Sequence, residues 1–467
     1  MGETRANSSR VADLLITLER DGGGALHRQI ENSIRDGIRA GRLRRGSLLP
    51  PTRLLATDLG VSRGVVLEAY QQLTAEGYLT SQTGGYTEVA ADPLPAPAVA
   101  APAAARPAPR IDFRYGRADP ANFPRSAWLR SVSRVLTEAP SERFNYLSGQ
   151  GVVELRQALA DYLNRVRATA AHPDDIVLCS GYAQGVALLV QVLSASGARR
   201  VAVEDPSAGD DFRPVAEAAG LEVIGIPVGD EGVAVLDRAD ADAVVVTPSH
   251  QWPTGEVLSP AARAGLLRWA ERRNALIIED DYDSEYRYDR APIGAIQGLG
   301  PDRVAYAGTA SKTLAPGLRL GWLVLPRRLV GPVAAAKLAA DRGSAVIDQL
   351  AFADFLTRGE FDRHLRRMRP IYRSRRDVLL DALHRGLPEL EPSGVSAGFH
   401  LVAWLPPNLR ETDVVAAAAD CGVGVYGLEP YRIAPGRQGL LFGYAGLTEQ
   451  RIIEGVGMLT AAIRALA

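Results

Sequence analysis

The apolar positions of the first ninety residues follow a helical rhythm before they follow a strand rhythm. Leu26, Ile30, Ile34 and Ile38 recur every four residues and Gly41 follows, which predicts an amphipathic helix ending near Ala40. After Pro50 and Pro51, the segment TRLLATDLG predicts a short helix capped by Thr52 and stopped at Gly60. Two residues later Ser62 is placed to cap RGVVLEAYQQLTAE, a helix with Val65, Ala69 and Leu73 on one face and a stop at Gly77. YLTSQ and YTEVA then alternate apolar and polar positions around Thr83, Gly84 and Gly85, which predicts a hairpin beside the helix-turn-helix.

Beyond residue 170 the pattern changes. Short β-branched runs (IVLCS, VAVED, AVVVTP, ALIIED, VAYAGT) alternate with helical stretches such as 183–194 and 261–273. This alternation predicts an α/β fold with a mainly parallel sheet, whose ligands sit at the carboxyl ends of the strands. The polar clusters SGYAQG, TPSHQWPTG, DDYDSEYRY and TASKTL each follow one of these runs and so converge on one site. Residues 91–110 are almost wholly Ala and Pro and cannot build a core. The expected organisation is therefore a winged helix-turn-helix over 1–90, a linker over 91–110, and an α/β domain over 111–467.

Composition narrows the function. With 467 residues, 46% hydrophobic and 23% charged, the chain is globular, and a net charge of −1 excludes a uniformly basic coat for nucleic acid. Locally the balance differs: six arginines (39, 42, 44, 45, 53 and 63) against one acid, Asp58, make the helix-turn-helix a candidate DNA surface. Arg53 and Arg63 can donate to base edges or phosphates, Ser62 can hold phosphate, and Gly84 and Gly85 at the hairpin tip complete the DNA-facing set. Cys179 and Cys421 lie far apart with no Cys/His cluster nearby, so no metal site or disulfide is expected and both read as small buried hydrophobes. The start of the chain lacks the apolar core of a signal peptide, and no run approaches the ~18 apolar residues of a membrane span. A cytoplasmic protein is expected.

Of the 53 basic residues only Lys312 and Lys337 are lysine. Arginine stays protonated, whereas a lysine amine can lose its proton and attack a carbonyl. Lys337, in VAAAKLAADR, reads as a helix-surface charge. Lys312 sits in the strand-end cluster TASKTL and answers one of the demands of pyridoxal 5′-phosphate: an amine for its aldehyde. Asp280 can pair with the ring nitrogen, and Tyr282, two residues on and on the same face, can donate to the phenolic oxygen. The amides of Gly181 and Tyr182 at a helix start, the hydroxyls of Thr309 and Ser311, and Arg319 can hold the phosphate. His250 reads as a supporting residue and Trp252 as packing.

The first region resembles the winged helix-turn-helix of the GntR family through Gly41, Leu43, Gly46, Leu49, Pro50, Arg53, the LGVSR element and EGYL. It departs at Gly64 and in the wing sequence TGGYT. The large region resembles the fold type I aminotransferase domain in the form fused to such a reader in MocR-type regulators. YLSGQGVVELRQAL, VEDP, TPSHQWPTG, EDDYDSEYRY and GTASKTLAPGLRLGW carry that resemblance in order.

The resemblance implies Lys312 as the Schiff-base lysine, Asp280 at the ring nitrogen, Tyr282 at the phenolic oxygen and Arg319 at the phosphate. It further implies a homodimer in which Tyr146 reaches the phosphate held by the other subunit. Three positions depart from the aminotransferase pattern. Ala208 replaces an aromatic that stacks on the ring, Trp252 replaces an asparagine, and Leu441 replaces the arginine that binds a substrate carboxylate, with Arg432 and Arg437 as substitutes. The implied function is a regulator that binds promoter double-stranded DNA and senses a small amine, an amino acid or pyridoxal phosphate itself, rather than a working enzyme, although an aminotransferase half-reaction is compatible with it. The alternative is an active aminotransferase with an accessory N-terminal domain.

Overall fold

The computed structural model describes residues 14, 16–20, 24–81, 86–91, 108–116, 118–207, 209–288, 293–394 and 396–466, except the side chains at 209–211. The chain divides into two units, residues 1–106 and 107–467.

In the first unit, α1 (Leu26–Arg39) buries Ile30, Ile34 and Ile38 as its spacing predicts. α2 (Thr52–Leu59) stops at Gly60, whose φ of +63° is the left-handed geometry that glycine tolerates. α3 (Arg63–Ala75) buries Val66, Ala69, Tyr70 and Leu73. The buried face is rotated from the expected one, because Val65 is only half-buried while the Tyr70 hydroxyl donates to Pro50 O at 2.9 Å.

The helix starts differ from expectation. Pro51 occupies the cap position of α2, Thr52 is its first residue, and Ser62 precedes α3 without a side-chain bond to the helix amides. The Thr52 hydroxyl instead accepts from Arg63 Nε at 3.4 Å, tying the two helix starts together. β1 (Leu79–Ser81) and β2 (Thr87–Val89) pair antiparallel, Leu79 opposite Val89. The hairpin tip with Gly84 and Gly85 lies outside the described residues, as do residues 92–107 of the Ala/Pro segment.

In the second unit, β3 (Ile111–Asp112) pairs with a short strand near the C-terminus. The main sheet has seven strands: β4 (Ile176–Cys179), β5 (Arg200–Asp205), β6 (Glu222–Pro227), β7 (Ala243–Val246), β8 (Leu276–Asp281), β9 (Val304–Thr309) and β10 (Gly321–Val324). Their order is β4-β10-β9-β8-β7-β5-β6, and all pairings are parallel except those of β10 with β4 and β9. The β-branched runs make the central strands because both faces are covered, so every residue of β8 and β9 is buried.

The helices are α4 (Arg125–Glu138), α5 (Val153–Arg167), α6 (Tyr182–Ala195), α7 (Gly209–Ala218), α8 (Asp230–Ala239), α9 (Pro260–Arg273), α10 (Arg327–Asp341), α11 (Val346–Thr357) and α12 (Glu360–Gly386). A second sheet holds β11 (Glu391–Ser393), β12 (His400–Trp404), β14 (Tyr426–Gly427) and β15 (Gly439–Gly443). It packs with α13 (Glu411–Asp420) and α14 (Glu449–Arg464), while β13 (Val423–Gly424) is the partner of β3. Cys179 is buried as expected, but Cys421 is exposed, because the end of α13 turns it to the surface.

Candidate cofactor and DNA-contact sites

β8 ends in two carboxylates whose alternation sends them to different neighbours. Asp281 accepts from Arg167 Nε and the Tyr306 hydroxyl, both at 2.7 Å. Arg167, which has no exposed surface, also donates to Ser249 Oγ at 2.9 Å and to Ile293 O. Asp280 lines a cavity of about 310 Å³ and is pushed up to about 8 by burial, against the pull of the Tyr182 hydroxyl and Lys312. Its Oδ1 is buried without a hydrogen-bond partner. An orphaned carboxyl oxygen facing a cavity fits a ring N–H.

Lys312, just past β9, lines the same cavity and donates from Nζ to Gly116 O at 2.5 Å. Thr309 and Ser311 line it from the same strand end, and the Ser311 amide donates to Thr309 Oγ1 at 3.1 Å. Gly181 caps α6 with φ +86°, and a Cβ there would stand 2.7 Å from the Arg319 guanidinium. Arg319 donates to Ser180 O at 2.7 Å. These groups form a cradle of helix amides, hydroxyls and one guanidinium suited to a phosphate.

The second lysine is not on the surface. Lys337 is 1% exposed and donates to Asp341 Oδ2 at 2.6 Å, Ser344 Oγ at 2.9 Å and Gln184 Oε1 at 3.2 Å. Gln184 accepts from the Ser180 amide at 2.7 Å, and Ser344 Oγ lies 3.0 Å from Ser180 Oγ. Lys337 thus braces the turn that leads into the cradle. The available signal was its i, i+4 spacing from Val333, which is fully buried on the same face.

Tyr282 lines the cavity and donates to His250 O at 3.0 Å. His250 Nδ1 lies 3.0 Å from Asp283 Oδ2 and 3.1 Å from the Tyr282 hydroxyl, so the histidine supports the tyrosine. His400, missed in the sequence, lies nearly parallel to the Tyr282 ring at 6.3 Å, and burial holds it well below its usual pKa. Tyr182 lines the cavity, whereas Phe212 packs into the core, and Ala208 lies outside the described residues.

Three expected residues lie elsewhere. Tyr146 is 88% exposed in a separate depression beside Arg342 and Ser344. Arg432 and Arg437 line another cavity of about 360 Å³. There Arg432 donates to Arg437 O at 2.6 Å, and Arg437 pairs with Glu391. In the first unit, Arg53, Ser62 and Arg63 are exposed at the starts of α2 and α3, and the other four arginines of the cluster are exposed as well.

Residues 26–89 match the gntR family of bacterial regulatory proteins, and residues 117–454 match the class I and II aminotransferases. The chain is 34% identical to the probable rhizopine catabolism regulatory protein MocR of Rhizobium meliloti, over 97% of this chain and 96% of that one. It is 32% identical to the HTH-type pyridoxine biosynthesis transcriptional regulator PdxR of Corynebacterium glutamicum, over 95% and 97%. Among solved structures it is similar to the Thermus thermophilus α-aminoadipate aminotransferase LysN, complexed with N-(5′-phosphopyridoxyl)-L-leucine (TM-score 0.69, 26% identity, 76% of this chain and 92% of that one). Pyrococcus horikoshii kynurenine aminotransferase is comparable (TM-score 0.70, 25%, 76% and 91%).

Proposed function

Because the chain belongs to the GntR family of bacterial regulators, in its MocR-type form with a class I and II aminotransferase domain, we propose that it is a pyridoxal-phosphate-dependent transcriptional regulator whose second unit senses a small molecule. The observation that carries this reading is the convergence of Lys312, the unpartnered Oδ1 of Asp280 and the Arg319 cradle on one cavity, in a chain that also holds a GntR reader. When bound, pyridoxal phosphate supplies an electrophilic carbon for an amine and a ring that draws electrons from it.

The residues then have distinct tasks. Lys312 holds the cofactor covalently, Asp280 holds a proton at the ring nitrogen, and the Tyr282 hydroxyl, turned from His250 O, donates to the phenolic oxygen. Gly181, Tyr182, Thr309, Ser311 and Arg319 hold the phosphate. The effector is a small amine, an amino acid or pyridoxal phosphate itself. Its binding changes how the reader engages promoter DNA, through a population shift between two states. The chain acts as a homodimer, with the exposed Tyr146 reaching the phosphate of the second subunit. No helix among the described residues is long and apolar enough to cross a membrane.

Two outcomes test this reading. Arg63→Ala is expected to weaken promoter binding in a gel shift and to lower the salt slope by about one, while unaltered affinity removes Arg63 from the reader. The rival reading, an active aminotransferase with an accessory first unit, is supported by the complete lysine–aspartate pair. Sustained turnover of an amino donor with a keto acid establishes that rival, and its absence leaves the regulator.

The raised Asp280 carboxyl has its own pH consequence. The folded protein holds this proton more tightly than the unfolded chain, so its stabilisation is complete below the ordinary value of 3.8 and is lost as pH rises through about 8. Thermal melts of the cofactor-free protein are expected to fall over that window, and Asp280→Asn is expected to flatten the fall. An unchanged slope in the variant assigns the effect to other buried carboxyls.

A further inference from the structure

Resting on the reading of this cavity as the sensing site, we propose that it recognises an amine with an uncharged aromatic or aliphatic body, and that it discriminates against α-amino acids. The cavity has two chemically different halves. One half is the cradle around Gly181 and Arg319. The other half is lined by Tyr115 and Trp252, behind which further rings pack. Tyr115 stands at its centre, with ring centroids 5.5 Å from Trp252, 5.5 Å from Tyr426 and 5.7 Å from Tyr431. Trp252 meets Tyr431 edge-on at 4.7 Å.

The hydroxyls of the three tyrosines are engaged with the protein. The Tyr115 and Tyr431 hydroxyls bond to each other, and the Tyr426 hydroxyl donates to Asp112 Oδ1 at 2.8 Å. Behind the rings, Val402, Leu428 and Leu441 have no exposed surface and close the wall with side chains that cannot donate a hydrogen bond.

Charge points the same way. Among the described residues lining the cavity, the cations are Lys312 and Arg319. Arg319 is committed to the cradle through Ser180 O and Gly181. Arg432 and Arg437 are held in another cavity by the Arg437 carbonyl and by Glu391. A carboxylate against Tyr115 and Trp252 would give up its water without meeting a further cation among the described lining residues, whereas an apolar body gains contact with ring faces. An effector amine therefore presents its nitrogen beside Lys312 and its body to Tyr115 and Trp252.

The test uses full-length protein loaded with pyridoxal phosphate, titrated by calorimetry with phenethylamine and with L-phenylalanine, which differ by one carboxylate. Phenethylamine is expected to bind at least tenfold more tightly, and Trp252→Ala is expected to bring the ratio of the two affinities toward one. Should that variant fail to fold, Tyr115→Ala is expected to do the same. Equal or tighter binding of L-phenylalanine overturns the inference, as does binding of neither ligand or a ratio untouched by both substitutions. The absorption band of the loaded protein is recorded first. Its absence overturns the cofactor reading instead, so the two failures are distinguishable.

Discussion

Lys312→Ala is expected to abolish the violet-blue absorption band of the pyridoxal-phosphate-loaded protein and to lower cofactor affinity by about a hundredfold or more, which is about 2.8 kcal/mol. The size of the effect follows from the absence of a substitute amine. The remaining basic side chains are arginines, apart from Lys337, and a guanidinium cannot lose its proton to attack an aldehyde. Lys337 cannot move in, because it is buried and held by Asp341, Ser344 and Gln184. Regulation by the effector should disappear with the band, while promoter binding without effector persists. Difference spectra with and without borohydride, beside gel shifts, check both halves. A band that survives the substitution means that another residue holds the cofactor, and unchanged regulation without a band means that the sensing unit works without it.

The largest loss of stability is expected from Arg167→Met, about 3–5 kcal/mol by urea denaturation of the full chain. The side chain of Arg167 has no exposed surface and that of Asp281 is 2% exposed, so their ion pair is screened by no water. Removing the guanidinium strands a carboxylate on a strand that already carries Glu279 and Asp280, and Glu285 lies just beyond. Burial has pushed these neighbours up to about 7, 8 and 7. The Ser249 hydroxyl and Ile293 carbonyl lose their partner at the same time. Adding Asp281→Leu to the variant removes the stranded charge and is expected to restore part of the loss, since replacing both members of a buried pair by apolar groups is often close to neutral. A loss below about 1 kcal/mol in the single variant means that the pair is worth no more than an exposed one.

Much of the site was legible because its residues follow strands whose periodicity is strong. Asp280, Tyr282, Thr309, Ser311 and Lys312 could be placed from the runs before them. Other parts carry no local signal. Tyr115 and Gly116 reach the cavity from a segment nearly two hundred residues before Lys312, through the short pairing of β3 with β13. β6 escaped notice because its edge position leaves half of its residues exposed and blurs the alternation. β10 was hidden because it has four residues, Gly321–Val324, and the first two already belong to the cofactor motif. Arg432 and Arg437 precede β15 closely in sequence, yet that strand turns Leu441 inward while its approach loop turns the arginines to Glu391 and to each other. The cap at Thr52 failed because Pro51 takes the cap position and the Thr52 hydroxyl, one residue inside the helix, accepts from Arg63.

The near-absence of lysine reaches beyond the cofactor. Neither lysine is exposed: Lys312 is half-buried at the cavity, and Lys337 is sealed. Reagents that seek primary amines therefore find, apart from the α-amino group, no surface target on this chain. Pyridoxal phosphate condenses indiscriminately with exposed lysines on most proteins, but here the side chains offer it one competent address, so reductive trapping should add a single pyridoxyl group beyond any at the α-amino group. The same economy removes the handles for acetylation and for amine-directed crosslinking or immobilisation. Whatever tunes this protein after synthesis has to act through ligands, DNA or some chemistry other than that of a surface amine.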